Sequence, residues 1–216
     1  MTNVGSAELA QGKPALHRQD YAHAMQWFQK AAALGNAEAE YNIGYLYYNG
    51  LGVPEDNSEA IRWFQKSAAQ GNSQAEWQIG WFYLAGKNGI SAKEDHAEAM
   101  RWFQKSAAKG NSDAMSYIAA FYHRGDGVPK DYAEEARWYK KGFAHGDSFA
   151  TDGLGQLYEE GGFGLPKDYA EAIRWYKKAA TSPGGMIHSE ERLAYLYENG
   201  LGTPKIILKQ YIGMKS

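Results

Sequence analysis

The sequence predicts an all-α protein assembled from about five copies of one helix–turn–helix unit. Three observations predict it, and each is a form of internal repetition. A tryptophan motif recurs as QWFQK (26–30), RWFQK (62–66 and 101–105) and RWYKK (137–141 and 174–178), with 36, 39, 36 and 37 residues between successive tryptophans. A small–aromatic–glycine pattern lies between these motifs: Ala39, Gly44, Tyr47 and Gly50 return as Ala75, Gly80, Tyr83 and Gly86. The same offsets hold for Ala114, Ala119, Tyr122 and Gly125, for Ala150, Gly155, Tyr158 and Gly161, and for Ser189, Ala194, Tyr197 and Gly200. A Gly-Asn or Gly-Asp junction follows every motif but the last, at Gly35-Asn36, Gly71-Asn72, Gly110-Asn111 and Gly146-Asp147.

These landmarks divide the chain into an N-terminal partial repeat or cap (1–35), repeats at 36–71, 72–110, 111–146 and 147–185, and a partial fifth repeat at 186–216. In the cap, residues 6–18 read as a poor first helix whose continuity Pro14 limits. Asp20 caps the next helix, but His23 stands where a glutamate would complete the cap. In the first full copy, a helix over about 37–49 opens after Asn36. It closes at Gly50, where a left-handed C′ residue carries no steric cost for glycine. The second helix opens after Asp56 with Glu59 three residues on, and Asp95/Glu98, Asp131/Glu134 and Asp168/Glu171 repeat that pair. The spacing predicts a capping box, in which each side chain satisfies a free backbone N–H.

Gly44, Gly80 and Gly155 fall in mid-helix, where glycine costs about 1 kcal/mol against alanine. Close approach of the two helices of a unit accounts for that cost, and Ala119 and Ala194 keep the position small. Trp63, Phe64 and their equivalents are read as filling the space between successive units. The connecting loop Gly-Leu-Gly-Val-Pro (50–54) is echoed at 125–129 and 200–204, whereas the second copy (85–95) is longer and lacks the proline. After Pro204 the chain reads KIILKQYIGMKS instead of a repeat helix. A one-base deletion in a frame encoding KDYPEAIHWYEK accounts for this tail, so a frameshift is expected. A gene without an adenine run near the Pro204 codon would exclude it. Ile207, Leu208 and Tyr211 lie at helical spacing and partly cover the last unit; without such cover its apolar face is open to dimerisation.

Composition narrows the function. The 216 residues carry a formal net charge of −2 and no cysteine. Disulfide scaffolds, thiolate metal sites and cysteine nucleophiles are excluded, and the balance is wrong for a nucleic-acid binder that neutralises phosphates. Lys66, Lys105, Lys141 and Lys178 fall near helix ends, where they complement the dipole. No apolar run approaches the ~20 residues of a membrane span. The start, MTNVGSAELAQGKP, has no secretory signal pattern, so a cytoplasmic location is expected, or a periplasmic or secreted one if a signal peptide was removed. The six histidines show no pair at helical spacing, so no metal site, catalytic triad or cofactor is expected. Gly-Gly-Phe-Gly (161–164) joins two helices and follows no strand, which makes it a stretched repeat loop. Arg124-Gly125-Asp126 is explained by the helix cap.

The segment AEAEYNIGYLYYNGLGVPEDNSEAIRWFQKSAAQGN (37–72) and its copies resemble the SEL-one-like repeat proteins, a subclass related to tetratricopeptide repeats. The resemblance covers about residues 18–205. It implies a right-handed α/α superhelix and an adaptor that binds other proteins on its inner curve. Some members of the family neutralise toxins, so a bacterial toxin-immunity or secretion-associated protein is the alternative. An accessory scaffold of an enzyme complex is a second, but no residues are left over for a catalytic domain.

In such a stack the first helix of each unit lines the concave side. Counting from the small mid-helix position, the outward residues include Tyr41, Tyr45 and Tyr48, then Trp77 and Trp81, then His123 and Arg124, then Asp152, Gln156 and Glu159. The groove is thus expected to be aromatic in its N-terminal half and acidic in its C-terminal half. Tyrosine and tryptophan favour binding because they bury large area with little entropy loss. The complementary partner is a protein or peptide with an apolar anchor and a basic flank. For the aromatic residues, Tyr41 and Trp77 above all, packing against neighbouring helices is the competing expectation.

Overall fold

The computed structural model describes residues 4–86, 95–147, 149–162, 164–181 and 187–203, with Phe149 described by its backbone alone. Eleven α-helices and no strand occur among the described residues, apart from an isolated bridge between Gly162 and Leu165. The chain divides into two compact units, Met1–Asn111 and Ser112–Ser216. The expectations for the tail (Ile207, Leu208 and Tyr211, with the dimerisation they bear on) lie outside the described residues.

The first unit contains α1 (Ser6–His17), α2 (Tyr21–Ala33), α3 (Ala37–Tyr48), α4 (Asn57–Ala69), α5 (Ser73–Ala85) and α6 (His96–Ala107), each packed on its neighbours in sequence. Pro14 does not interrupt α1, contrary to expectation. The helix is held by tertiary packing: Leu9 and Ala15 are buried, and a Cβ on Gly12 would stand 2.5 Å from the Phe28 ring. Gly12 thus does for α1 and α2 what Gly44 does for α3 and α4, where the same construction gives 2.8 Å to Phe64. Gly80 meets Phe103 in the same way, at 2.7 Å. The mid-helix glycines are therefore seats for rings, and Phe28, Phe64 and Phe103 are all wholly buried. Trp63 packs against the core of α1–α3 and Trp102 against that of α4 and α5, bridging successive repeats as expected.

The helix starts are capped by aspartate, but the capping box is only half made. Asp56 accepts from the N–H groups of Ser58 and Glu59, and Asp95 from that of Glu98. The return bond is absent because the cap's own N–H is already taken. Asp56 donates it to the Tyr47 carbonyl at 3.0 Å, and Asp95, Asp131 and Asp168 donate to Tyr83, Tyr122 and Tyr158. That bond closes the interhelical loop. The glutamates turn instead to the arginine one turn on, as in Glu59–Arg62 at 2.7 Å and Glu171–Arg174 at 3.1 Å.

The recurring lysines have a second role that spacing did not reveal. Lys30, Lys66, Lys105, Lys141 and Lys178 each place their ammonium over the tryptophan three residues earlier, 3.9–4.3 Å from the ring centroid. One turn of helix brings the two side chains together, and the ring quadrupole attracts the cation. The second unit contains α7 (Ser112–Arg124), α8 (Tyr132–Ala144), α9 (Phe149–Glu160), α10 (Tyr169–Thr181) and α11 (Ile187–Glu198). Gly155 seats Tyr176 at 2.5 Å by the same rule.

Candidate functional site

In the first unit, all five sequence-predicted aromatics are half-buried. Tyr41 leans on Phe64 with ring centroids 5.6 Å apart. Tyr48 meets Phe82 edge-on at 5.5 Å and Trp81 at 6.3 Å, and Trp81 in turn meets Phe82 at 6.4 Å. Each of these three rings packs against a neighbouring ring and keeps part of its surface open, so the competing expectation of packing is met for Tyr41, Tyr48 and Trp81. Tyr45 and Tyr41 line a cleft of about 420 Å³ with Leu16, Tyr21 and Leu51. His17, Gln19 and Asn42 complete the wall, and this mixture of apolar side chains and polar groups suits an apolar side chain flanked by backbone polar groups.

The expected acidic face of the second unit differs from the sequence reading. Glu159 does not face outward: it is 8% exposed. Its carboxylate accepts from the Tyr176 hydroxyl at 2.9 Å and from Arg192, whose Nε lies at 3.1 Å and whose Nη2 also donates. Helices α10 and α11 bring those partners, which are 17 and 33 residues away in sequence. Burial, then the hydrogen bond to Glu159, raises the Tyr176 hydroxyl pKa well above its ordinary value. Asp152 is half-buried and accepts from the Ser189 hydroxyl, with His188 Nδ1 at 3.2 Å.

His123, Arg124 and Gln156 remain exposed, and the fold gathers them around one cleft of about 280 Å³. Two further polar side chains that sequence reasoning missed line it, Glu135 and Tyr139. Glu135 is only 3% exposed, and its Oε2 lies 3.1 Å from Nδ1 of His123. The His123 ring stacks on Tyr132 at 5.6 Å. Burial raises the Glu135 carboxyl pKa above the ordinary glutamate value; His123 opposes that shift and Glu160 adds to it. Tyr139 is pushed up to about 12 by burial and by the negative charge of Glu135 and Asp147.

The signal for Glu135 was present in the repeat alignment. Its counterparts three residues before each tryptophan are Ala24, Ala60, Ala99 and Ala172, all 0% exposed. The next position holds Met25, Ile61, Met100 and Ile173 in the other helices but only Ala136 here. Ala119 already carries the Cβ that a ring would meet at Gly44 or Gly80. Tyr139, the counterpart of Phe64, accordingly stays half-buried and lies against Gly153, where an added Cβ would be 3.1 Å from the ring. A larger helix position, a smaller neighbour and a displaced ring leave the cleft open.

The family model of the Sel1 repeat matches residues 1–36, 37–72, 73–111, 112–147, 148–182 and 187–205. The chain belongs to the Sel1 repeat family. Sel1 repeat proteins are generally non-catalytic scaffolds for protein–protein interaction. A protective antigen of uropathogenic Escherichia coli with an SLR fold is 32% identical over 99% of this chain, with a TM-score of 0.85. The chain spans 46% of that protein's length. A Sel1 repeat protein of Oxalobacter formigenes is 31% identical over 92% of this chain and 79% of its own, with a TM-score of 0.80. An immunity protein of Pseudomonas aeruginosa shares the fold at 16% identity and a TM-score of 0.53, covering 94% of this chain and 86% of its own. No curated protein matches the sequence. Among the described residues, no group of three His, Asp or Glu side chains is placed to hold a metal, and no helix is long and apolar enough to cross a membrane.

Proposed function

We propose that this Sel1 repeat protein is a non-enzymatic adaptor that binds a protein or peptide partner through the first helices of its repeats. The partner's apolar anchor docks on the first unit, against Tyr41, Tyr45, Tyr48, Trp77 and Trp81. One observation carries the reading. Half-buried aromatic rings stand on α3 and α5, three of them braced from behind by Phe64 and Phe82, and two on α3, Tyr41 and Tyr45, line a cleft of about 420 Å³. Braced rings lose little freedom when a partner arrives, so more of the contact energy appears as affinity.

The test is the double substitution Tyr45→Ala with Trp81→Ala, compared with wild type by cross-linking and affinity capture from the source cell. The adaptor reading expects the specifically captured protein to disappear while far-UV circular dichroism stays unchanged. Unchanged capture would refute this docking face. Loss of helicity would mean that the two rings are core.

A further inference from the structure

We infer that the cleft between α7, α8 and α9 is a receptor for a single arginine side chain of a protein partner, with Glu135 as its anionic floor. The inference rests on the adaptor reading and adds a second, separate contact in the second unit. Three independent features support it. The cleft, about 280 Å³, lies just below the ~300–1,000 Å³ range of pockets for drug-sized ligands, which suits one side chain. At its base a glutamate occupies a position where the four sister helices carry a wholly buried alanine. A carboxylate is costly there unless a cation or a donor network compensates it.

The third feature is the charge that remains around the opening. Glu135 and Glu160 contribute two carboxylates, and Gln156 donates to Glu160 at 2.9 Å. Arg124 is the cation of the rim, but its Nε already donates to Asp126 at 2.5 Å. His123 is the observed partner of Glu135, and its side chain is 51% exposed, so it leaves room for a stronger cation. The two cations of the rim, His123 and Arg124, each already face a carboxylate, Glu135 and Asp126. A guanidinium has five donors in a planar fork, which the Glu135 and Glu160 carboxylates and the Tyr139 and Gln156 oxygens can accept.

The test pairs a fold-preserving variant with simple probes. Glu135→Ala combined with Ala136→Ile restores the Ala-Ile pair found at Ala60–Ile61 and Ala172–Ile173, so the variant should fold. Acetyl-Gly-Arg-Gly-amide, its citrulline analogue and acetyl-arginine-methylamide are titrated into ¹⁵N-labelled full-length chain. We expect saturable shifts at Ala120, Glu135, Tyr139, Gly153 and Gln156 with both arginine probes. Binding of the citrulline peptide should be at least about tenfold weaker, and the double variant should lose the response. Equal binding of citrulline, shifts unchanged in the variant, or no shifts at all would overturn the inference. Binding of acetyl-arginine-methylamide without the tripeptide would also overturn it, because the site would then serve a free small molecule. Failure here leaves the Tyr45/Trp81 experiment unaffected, since that one reads the first unit.

Discussion

Restoring the repeat's own residues at Glu135 and Ala136 should make the protein more stable, and more so at neutral than at acidic pH. Wild type keeps a carboxyl that is 3% exposed among α7, α8 and α9, faced by His123 and Arg124, by Tyr139, and by Gln156 and Glu160. Glu135→Ala with Ala136→Ile removes that group and refills the space with an apolar side chain that fits the same place in α4 and α10. Replacing buried ionic groups by packed apolar ones stabilises by roughly 1–4 kcal/mol. The lost His123 contact is half open to water, which places the net gain near 2 kcal/mol, or about 4–8 °C in Tm for a chain of this size.

The pH dependence follows from the direction of the shift. The folded Glu135 pKa is raised above its ordinary value of 4.5, because burial disfavours the charged form. Below that ordinary value the side chain is protonated in the folded and unfolded chains alike, and its ionisation costs the fold nothing. As pH rises through the folded pKa, the unfolded chain ionises more readily and wild type loses stability. The variant's advantage should therefore grow between about pH 4 and pH 7. Urea denaturation followed by circular dichroism at both pH values measures it. A variant less stable than wild type at pH 7, or a gain that does not change with pH, would refute the account of Glu135 as a strained buried acid.

The remaining predictions concern the repeat machinery. Phe64→Ala removes a wholly buried ring seated on Gly44 and should cost about 3–5 kcal/mol in chemical denaturation. Gly52→Ala should destabilise more than Gly35→Ala. Both have positive φ, but a Cβ on Gly52 would meet Tyr21 Cβ at 2.6 Å while nothing lies within 4 Å of Gly35, so the difference isolates the contact from a backbone strain of about 1 kcal/mol. Lys66→Met keeps the aliphatic stem but removes the charge over Trp63, and a loss of about 0.5–1 kcal/mol in chemical denaturation is expected. Tyr176→Phe deletes the hydroxyl that donates to Glu159 at 2.9 Å and should cost about 1–2 kcal/mol, measured by thermal denaturation.

How far the sequence is legible depends on how local each contact is. Asn36 and Asp56 are recognisable as caps because the N–H groups they accept from lie two or three residues away. The ring seats are legible too, because Gly44 and Gly80 recur at one offset, eight residues after the helix caps Asn36 and Asn72. Glu159 was misplaced for the opposite reason. Helical counting puts it on the outward stripe, but its position depends on Arg192, which arrives from α11, 33 residues later. Pro14 misled in the same way: its local cost is real, and the packing of Leu9, Gly12 and Ala15 on α2 outweighs it. Asp152 stands on the predicted stripe, but Ser189 and His188 already engage it.

By itself the sequence determined the repeat, its period, its helix boundaries and the absence of cysteine chemistry, since these follow from residue type and short-range spacing. Only the tertiary structure decided which polar residues remain accessible and where a cleft opens. A carboxylate's fate is set by the chain segments that come to lie against it. At Glu135 three helices meet around a position that in four sister helices holds a methyl group.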